Sequence, residues 1–360
     1  MKHHRVVLLL CAFCFLSCAP YARKDVLSHS VDLLFAEYSP PTDPGASLAI
    51  IKDGKVFYSK AYGMADLETH APATTSTNYR LASVTKQFTA MAVMMLVDRG
   101  KLSLDSRLTD VLPGAPAYLH EVKIRHLLNH TSGIVDYEDL IPESQTVQVL
   151  DKDVLSLLRS IDSVYFPAGA KFKYSNSGYS LLALVVESIS GQPFAEFLKN
   201  NIFTPLGMDH TLAYQQGVST VAKRAFGYSR TDTGFVRTDQ SVTSAVLGDG
   251  GIYSSVDDLF RWDQALYGES LVRSSLYEQA ITPGRLNDGS RTTYGFGWFI
   301  ESHTQSTWYL HEGSTRGFRN AILRIPDKQF TVIILTNRNE GEPSQIARKI
   351  VDLMLPKQAL

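Results

Sequence analysis

The sequence predicts a mixed α/β (α+β) fold in which an antiparallel sheet, built from both ends of the chain and flanked by helices, carries an inserted, mostly helical lobe. Two observations lead to this prediction. Short β-rich apolar runs occur near both ends of the chain, and the segments between them have apolar residues at helical spacing. The chain has 360 residues, enough for one large domain or two closely packed ones with a sizeable core.

The N-terminal part of the predicted sheet is a hairpin. Residues 47–51 and 55–62 are apolar, β-rich runs joined by Asp53-Gly54, and an Asp-Gly pair between two strands is a strong signal for a tight turn. A first helix is expected over residues 26–38, before a proline-rich stretch. We therefore assign residues about 31–82 to the sheet.

The C-terminal part of the sheet is predicted from strand-like runs at residues 294–301, 307–311, 318–325 and 330–336, followed by a final helix over residues 344–355. The helical lobe is predicted from apolar spacing over residues 83–99, 153–160, 178–190, 194–201 and 256–267. The lobe then covers residues about 83–284 and the second part of the sheet residues about 285–355. After a spacer at residues 19–30, residues 31–355 are expected to form a single unit.

The composition is that of an ordinary globular protein, with 44% hydrophobic and 20% charged residues. These values exclude a disordered, collagen-like or coiled-coil chain. The net charge is −1 and no block of like charges occurs, which argues against a nucleic-acid partner bound through a basic surface. An enzyme or a ligand-binding protein is therefore expected.

The N-terminus is typical of an export signal. Basic residues at positions 2–5 precede an apolar run at residues 6–16, which is too short for an ordinary membrane span, so residues 1–18 are predicted to be a signal peptide. The small residues around Cys18 also resemble a bacterial lipobox, although Phe15 stands where leucine is usual. We expect a periplasmic or cell-envelope protein attached to the membrane by a lipid on Cys18. An ordinary cleaved signal or an uncleaved anchor is the alternative.

All three cysteines, Cys11, Cys14 and Cys18, lie within this signal segment. The mature protein is therefore expected to have no disulfide, no thiolate metal site and no cysteine nucleophile. Its stability must come from its core.

The first candidate for chemistry is Ser83-Val84-Thr85-Lys86. Residues three apart on a helix share one face, with Cβ atoms about 5–6 Å apart, so a neutral amine on Lys86 could take the proton of the Ser83 hydroxyl. The N-terminal end of the helix offers N–H groups and a positive dipole end to a developing oxyanion. For this pattern alone, an N-capping serine followed by a solvated lysine is an open alternative.

The second candidate is Tyr174-Ser175-Asn176, which follows a turn-like segment and precedes a predicted helix. A phenol beside an ammonium group can serve as a general base, and an amide side chain can hold a substrate carbonyl. A turn with an asparagine cap and a packed tyrosine is the alternative.

The third candidate is His311-Glu312-Gly313, at the end of a strand-like run. Glycine at position 313 would allow a close backbone approach, and the N–H of Ser314 could be an oxyanion donor. A lone histidine is more often structural, so this motif is weak by itself.

Together, the three motifs resemble the serine β-lactamase and penicillin-binding family, most closely its class C branch and the related esterases and D-amino-acid peptidases. The chain contains no other Ser-x-x-Lys and no other Tyr-x-Asn. Further matching stretches are residues 79–83 (YRLAS), 126–134 (HLLNHTSGI), 205–208 (PLGM), 250–254 (GGIYS) and 294–298 (YGFGW). The resemblance covers residues about 30–350 and implies a β-lactamase/transpeptidase-like fold.

The resemblance implies an acyl-enzyme mechanism and a role for each matching residue. Ser83 would be the nucleophile, and Lys86 and Tyr174 would share the general-base and general-acid work. Asn176 would position the acyl side chain. The oxyanion hole would be formed by the backbone N–H groups of Ser83 and Ser314, with His311 and Gly313 also contacting substrate.

One departure concerns substrate charge. Where lactamases have Lys-Thr-Gly, this chain has His311-Glu312-Gly313, so an imidazole that is mostly neutral near pH 7 replaces an ammonium group. Glu312 adds a carboxylate, and both changes argue against strong recognition of an anionic β-lactam. Arg316 and Arg319 could restore positive charge in the pocket. Alternatively, Glu312 points away and these arginines only pair with it.

Two further groups of residues have ordinary structural explanations. His126 and His130 are four residues apart, but no third metal ligand is evident, so they are expected to order the following turn and no metal is predicted. The aromatic residues of positions 294–299 could line a pocket or equally pack a sheet face.

Three functions follow from these observations, in decreasing order of support. The first is an exported serine hydrolase that needs no cofactor and cleaves small esters or amides, as an esterase, a D-amino-acid peptidase or a weak β-lactamase. Its substrate would be a small molecule or a short peptide. The alternative is a catalytically weak penicillin-binding-like protein that senses cell-wall peptides. The third is a zinc hydrolase using the two histidines.

Overall fold

The structure is a computed structural model that describes residues 19–355, with side chains described from residue 27 onward. The predicted signal peptide and Cys18 lie outside the described residues. Within this range, no single helix is long and apolar enough to cross a membrane. The helical segments Asn176–Ser190 and Phe194–Phe203 reach that length and composition only as a pair, bent by 78°.

The strands of residues 19–355 belong to one large sheet and three small ones. In chain order they are β1 (Ala46–Lys52), β2 (Lys55–Tyr62), β3 (Met64–Asp66), β4 (Ala71–Pro72), β5 (Tyr79–Arg80), β6 (Leu212–Ala213), β7 (Tyr228–Thr231), β8 (Gly234–Arg237), β9 (Ile252–Ser254), β10 (Phe299–His303), β11 (Ser306–Thr315), β12 (Phe318–Ile325) and β13 (Phe330–Thr336). The large sheet has the order β10-β11-β12-β13-β1-β2, and each neighbouring pair is antiparallel. The sheet therefore combines both ends of the chain, as predicted.

The helices are α1 (Ala19–Leu34), α2 (Lys86–Asp98), α3 (Leu108–Val111), α4 (Ile124–Leu128), α5 (Asp151–Arg159), α6 (Asn176–Ser190), α7 (Phe194–Leu198), α8 (Leu247–Gly250), α9 (Val256–Ala265), α10 (Ser274–Ala280) and α11 (Pro343–Met354). Helices α2 to α10 lie between the two halves of the large sheet in the sequence, and they form the predicted lobe. The first helix begins earlier than predicted and includes the expected spacer, because no glycine or proline interrupts residues 21–39.

The central strands of the large sheet, β12, β13 and β1, are buried on both faces. Along β1, Leu48 and Ile50 pack in a cluster with residues of α1 and α11, whereas Ala49 and Ile51 pack in the main core with the helical lobe. This alternation follows from the two-residue period of a strand. The Asp53-Gly54 turn has both residues in the left-handed region, with φ values of 52° and 72°, which is the geometry that a two-residue hairpin requires.

Several predicted elements differ in their bounds. The helix expected over residues 83–99 begins as a 3-10 turn, Ala82–Thr85, and becomes α-helical only at Lys86. The strand expected from residue 294 begins at Phe299, because Gly295 packs against the backbone of Ala280 and Gly297 has a φ of +78°. The short strands β3 to β9 were not predicted, since two to four residues are too few for a periodic signal.

Candidate active site

The side chain of Lys86 joins the first two motifs. Its Nζ donates hydrogen bonds to Ser83 Oγ at 2.9 Å, to Asn176 Oδ1 at 2.8 Å and to the carbonyl oxygen of Asp249 at 2.9 Å. Lys86 is fully buried on α2, a helix whose residues Lys86 to Leu96 are all buried. A buried lysine with three oxygen partners is held in one geometry, and one of these partners is the candidate nucleophile.

The turn that carries Ser83 is held by neighbouring strands. Leu81 N–H donates to the carbonyl of Ile252 at 2.8 Å, and Thr85 Oγ1 accepts from Ile252 N–H at 3.2 Å. Ala82, immediately before the nucleophile, has a φ of +49°, a left-handed conformation that costs a non-glycine residue about 1–2 kcal/mol. Such strain is found at functional sites, where the surrounding structure enforces it.

Gly313 allows strand β11 to lie directly against this turn. A Cβ at position 313 would lie 2.1 Å from the carbonyl oxygen of Leu81, so no other residue fits without displacing the backbone. Ser314, the next residue, lines the same small pocket as Ser83. Strand β10 pairs with β11 only as far as Leu310, so the β11 edge beyond it is not covered by β10.

The tyrosine of the second motif lies beside Lys86. The ring centre of Tyr174 is 5.0 Å from Lys86 Nζ, and its ring is 6.2 Å from that of Phe299 in a stacked arrangement. The Tyr174 hydroxyl is enclosed and has no hydrogen-bond partner among the described residues. A buried hydroxyl without a partner is costly in a folded protein, so it is available to a bound molecule.

His311 is neutral in this environment. Its Nδ1 lies 2.7 Å from the Glu312 carbonyl oxygen, an acceptor, so Nδ1 carries the proton; Nε2 then accepts from the Tyr294 hydroxyl at 2.8 Å. Burial, reinforced by the charge of Lys86, lowers the pKa of His311 to about 3. Both ring nitrogens are therefore engaged within the protein, and the ring brings no positive charge to the site.

Glu312 and Arg316 lie away from the Ser83 pocket. Glu312 is exposed and lines a separate cavity of about 840 Å³ together with Glu301 and Arg348. Arg316 is exposed in the turn between β11 and β12, and no ion pair joins it to Glu312 among the described residues. Arg319 donates instead to the carbonyls of Thr315 and Phe318.

An acidic group of residues that sequence reasoning missed surrounds Asn176. The backbone N–H of Asn176 donates to Asp136 Oδ2 at 2.7 Å, and its Nδ2 donates to Glu138 Oε1 at 3.1 Å. The buried Asp249 accepts from the Tyr137 hydroxyl at 2.9 Å. No spacing pattern links these carboxylates to Ser83, because they reach it through tertiary contacts only.

Two of these carboxyls titrate near neutral pH. Burial raises the pKa of Asp249 to about 7, even though Lys86 acts in the opposite direction. Glu138 is exposed as a residue, but its carboxyl group faces the pocket. Partial desolvation there, together with repulsion from Asp136 and Asp249, raises the pKa of Glu138 to about 7.

The pocket at Ser83 is small and polar, about 50 Å³ in volume. Its lining includes Arg80, Ser83, Tyr137, Glu138, Asn176, Asp249, Ser314 and Thr315. Arg80 is held by a hydrogen bond of 2.7 Å from Nη2 to the Ser244 carbonyl. The pocket thus brings together the candidate nucleophile, the asparagine that accepts from Lys86 and two acidic residues.

The remaining sequence features have structural contacts. His126 Nδ1 accepts from Lys123 N–H and His130 Nδ1 from Ser175 N–H, each at 3.2 Å. Among residues 19–355, no three or more His, Cys, Asp or Glu residues are grouped as metal ligands would be. Of the aromatic segment, Tyr294 and Phe299 lie against Tyr174, whereas Phe296 and Trp298 are buried in the core.

Comparison with known proteins found similar sequences and similar solved structures. The protein-family model described as Beta-lactamase matches residues 37–354. Penicillin-binding protein 4* of Bacillus subtilis (strain 168) is 34% identical over 303 residues, covering 80% of this chain and 66% of its own length. A D-aminopeptidase of Brucella anthropi is 30% identical over 324 residues, with coverages of 87% and 59%. The chain therefore spans about three fifths to two thirds of the length of these curated relatives.

Among solved structures, an octameric penicillin-binding protein homologue from Pyrococcus abyssi superposes with a TM-score of 0.79 at 30% identity, covering 93% of this chain and 78% of that chain. These matches confirm the fold class and the family resemblance predicted from the sequence.

Proposed function

The chain belongs to the beta-lactamase family of serine hydrolases, and from this premise we propose that it is an exported hydrolase that cleaves small amides or esters through an acyl-enzyme on Ser83. The observation that carries the proposal is the 2.9 Å hydrogen bond between Lys86 Nζ and Ser83 Oγ in a buried site. Because the whole relatives are longer than this chain, their activities support the proposal by analogy only.

The contacts of Lys86 suit a general base. As an ammonium group, Lys86 donates to all three oxygens; in the neutral form that the general-base role requires, it has two N–H donors and one lone pair. The Asn176 amide oxygen and the Asp249 carbonyl can only accept, so they would take both donors and leave the lone pair facing Ser83. The Ser83 hydroxyl would then donate to Lys86, and its proton would move to Nζ as Oγ attacks the substrate carbonyl.

The rest of the cycle needs a proton donor for the leaving group. In this proposal the carbonyl oxygen becomes an oxyanion at the N–H groups of Ser83 and Ser314. The C–N or C–O bond then breaks, and the Tyr174 hydroxyl gives its proton to the departing nitrogen or oxygen. Lys86 restores the proton of Tyr174. Water next adds to the carbonyl carbon of the acyl-enzyme and gives a proton to Lys86 or Tyr174. The bond between that carbon and Ser83 Oγ then breaks, and Ser83 Oγ regains a proton from the same two residues.

Charge in the pocket supports a substrate with a free amino group. Glu138 lines the pocket as an acidic residue, and the neutral His311 stands where an ammonium group would attract a β-lactam carboxylate. A substrate ammonium would instead be attracted to Glu138. The relative named D-aminopeptidase supports short peptides or amides with an N-terminal D-amino acid as the preferred class.

Export and membrane attachment belong to the same proposal. They are supported by the basic and apolar pattern of residues 2–16 and by Cys18 within a sequence that resembles a lipobox. The alternative function, a weakly catalytic sensor of cell-wall peptides, is supported by the similarity to penicillin-binding protein 4*.

A substrate panel tests the proposal. We expect turnover of D-phenylalanine amide and of short-chain activated esters, with slower turnover of the N-acetylated amide, which has no ammonium group, and poor turnover of cephalosporins. Cephalosporin hydrolysis near the diffusional range, or equal rates on the free and N-acetylated amides, would overturn the substrate assignment. No turnover of any member by folded protein would favour the sensor.

A further inference from the structure

His130 contacts the segment that carries Tyr174 at three points. Its ring centre is 4.1 Å from that of Tyr174, with 32° between the ring planes. Its carbonyl oxygen accepts from Lys173 N–H at 3.0 Å, and its Nδ1 accepts from Ser175 N–H at 3.2 Å. The residues on both sides of Tyr174 are therefore bonded to His130, and the tyrosine ring packs on its imidazole.

The chemistry of the ring indicates why a histidine is needed here. Because Nδ1 accepts a hydrogen bond, the proton of the neutral ring is on Nε2, and this buried Nε2 has no partner among the described residues. Burial is the main cause that lowers the pKa of His130 well below its ordinary value, so the ring stays neutral. A phenylalanine would fill the space without an unpaired Nε2, but it would leave Ser175 N–H without an acceptor.

The backbone of His130 is also constrained. Its φ of +57° lies in the left-handed region, which is uncommon for residues other than glycine, asparagine, aspartate and histidine. This conformation belongs to the turn from which the chain continues to Thr131, whose N–H is bonded to the carbonyl of His126. The turn fixes the direction from which the imidazole reaches Tyr174.

From these contacts we propose that His130 is a positioning residue for Tyr174 and holds the phenol ring beside Lys86. The inference rests on the proposed function, in which that hydroxyl moves protons. His130 itself does not touch Ser83 or exchange a proton in the reaction. Its contribution is to restrict the motion of the 173–175 segment, and a displacement of about 1 Å at a reacting group can cost about 10²-fold in rate.

A double-mutant cycle separates positioning from a general structural role. The variants are His130→Ala and His130→Asn, each made with Tyr174 intact and with Tyr174→Phe. Asparagine tolerates the left-handed conformation, and its side-chain oxygen can accept from Ser175 N–H. The matched control is His126→Ala, which removes the same kind of bond, Nδ1 to a backbone N–H at 3.2 Å, on the far side of the motif. The measurements are the acylation rate with a chromogenic short-chain ester and the unfolding temperature.

With Tyr174 intact, we expect His130→Ala to slow acylation about 10- to 100-fold and His130→Asn to recover part of the loss. In the Tyr174→Phe background, the same changes should lower the acylation rate by less than about 3-fold, because there is no hydroxyl left to position. The acylation rate of His126→Ala should stay within about 2-fold of the rate of the parent protein, both with Tyr174 intact and with Tyr174→Phe.

Equal losses in both backgrounds, or a wild-type rate for His130→Ala, would overturn the positioning role while leaving the proposed function intact. Absence of acylation in the wild type, or an unaffected rate in Tyr174→Phe, would overturn the proposed roles of Ser83 or Tyr174 and this inference with them. If His130→Ala does not fold, the same comparison is made with His130→Asn, in the protein with Tyr174 intact and in Tyr174→Phe.

Discussion

Glu138 accepts a hydrogen bond from Asn176 at 3.1 Å, and the same amide side chain accepts one from Lys86 through its oxygen at 2.8 Å. A carboxylate at the mouth of the pocket is thus linked through one side chain to the lysine that contacts the nucleophile. Since the pKa of Glu138 is raised to about 7, its charge changes in the range where the protein is expected to work.

Glu138→Gln should weaken the binding of a substrate ammonium group. At pH 7.5 we expect KM for D-phenylalanine amide to rise about 10-fold with kcat little changed, the size of one charge-assisted hydrogen bond. The difference from wild type should disappear below about pH 6, where Glu138 is protonated. It should also decline above about pH 8, where an α-amino group loses its charge. Steady-state kinetics at several pH values measure this.

The N-acetylated amide is the control for this prediction. It has no ammonium group, so Glu138→Gln should leave its kinetics unchanged. A similar loss on both substrates would show that Glu138 supports the site through Asn176 rather than through substrate charge.

Lys86→Ala and Tyr174→Phe should each slow acylation by about 10²–10⁴-fold, the usual contribution of a positioned general base or acid. A matched control is Lys173→Ala. Lys173 adjoins Tyr174 in sequence, but its ammonium group lies over the ring of Tyr165, 3.2 Å from the ring centre. The rate of acylation by an activated ester is the measurement, and unchanged rates in both test variants would refute the role assignment.

Gly313→Ala should separate β11 from the turn that carries Ser83, because the added Cβ would lie 2.1 Å from the Leu81 carbonyl oxygen. We expect acylation to fall by about 10²-fold or more. Gly268→Ala is the control, since nothing lies within 4 Å of a Cβ there. If Gly313→Ala acylates at the rate of Gly268→Ala, the close approach has no part in the chemistry.

Asp249→Asn should change how stability depends on pH. The folded wild type keeps a proton on Asp249 up to about pH 7, whereas the unfolded chain releases it above about pH 3.8, so this carboxyl makes the wild type less stable as pH rises across that interval. Asparagine does not titrate. Relative to wild type, the variant should therefore gain stability between pH 4 and 7, on the order of a few kcal/mol. Denaturant unfolding at pH 5 and pH 8 measures the gain, and a constant difference would contradict it.

Much of the fold could be predicted because its strands have strong local signals. The bounds of β2, β12 and β13 agree with the predicted residues 55–62, 318–325 and 330–336, since each is an apolar or alternating run bounded by turn residues. The prediction of a strand at residues 294–298 was wrong for a local reason. Its aromatic residues suggest a strand, but close backbone contacts at Gly295 and the positive φ of Gly297 bend the chain.

The candidate site was only partly accessible from the sequence. Ser83 and Lys86 are close because they are three residues apart, whereas Asn176 was a candidate by residue type and was joined to them only through the family resemblance. Asp249 is 112 residues from Tyr137, and Glu138 is 38 residues from Asn176, yet each pair forms a hydrogen bond. Such contacts arise from tertiary packing and leave no periodic signal.

The central claim is that Ser83 is an activated nucleophile, and intact-mass spectrometry after treatment with a fluorophosphonate probe tests it most directly. We predict a single covalent adduct on the wild-type protein and none on Ser83→Ala, because the lone pair of Lys86 can take the proton of Ser83 as its oxygen attacks phosphorus. No adduct on folded wild-type protein, or an adduct that persists in Ser83→Ala, would contradict the account.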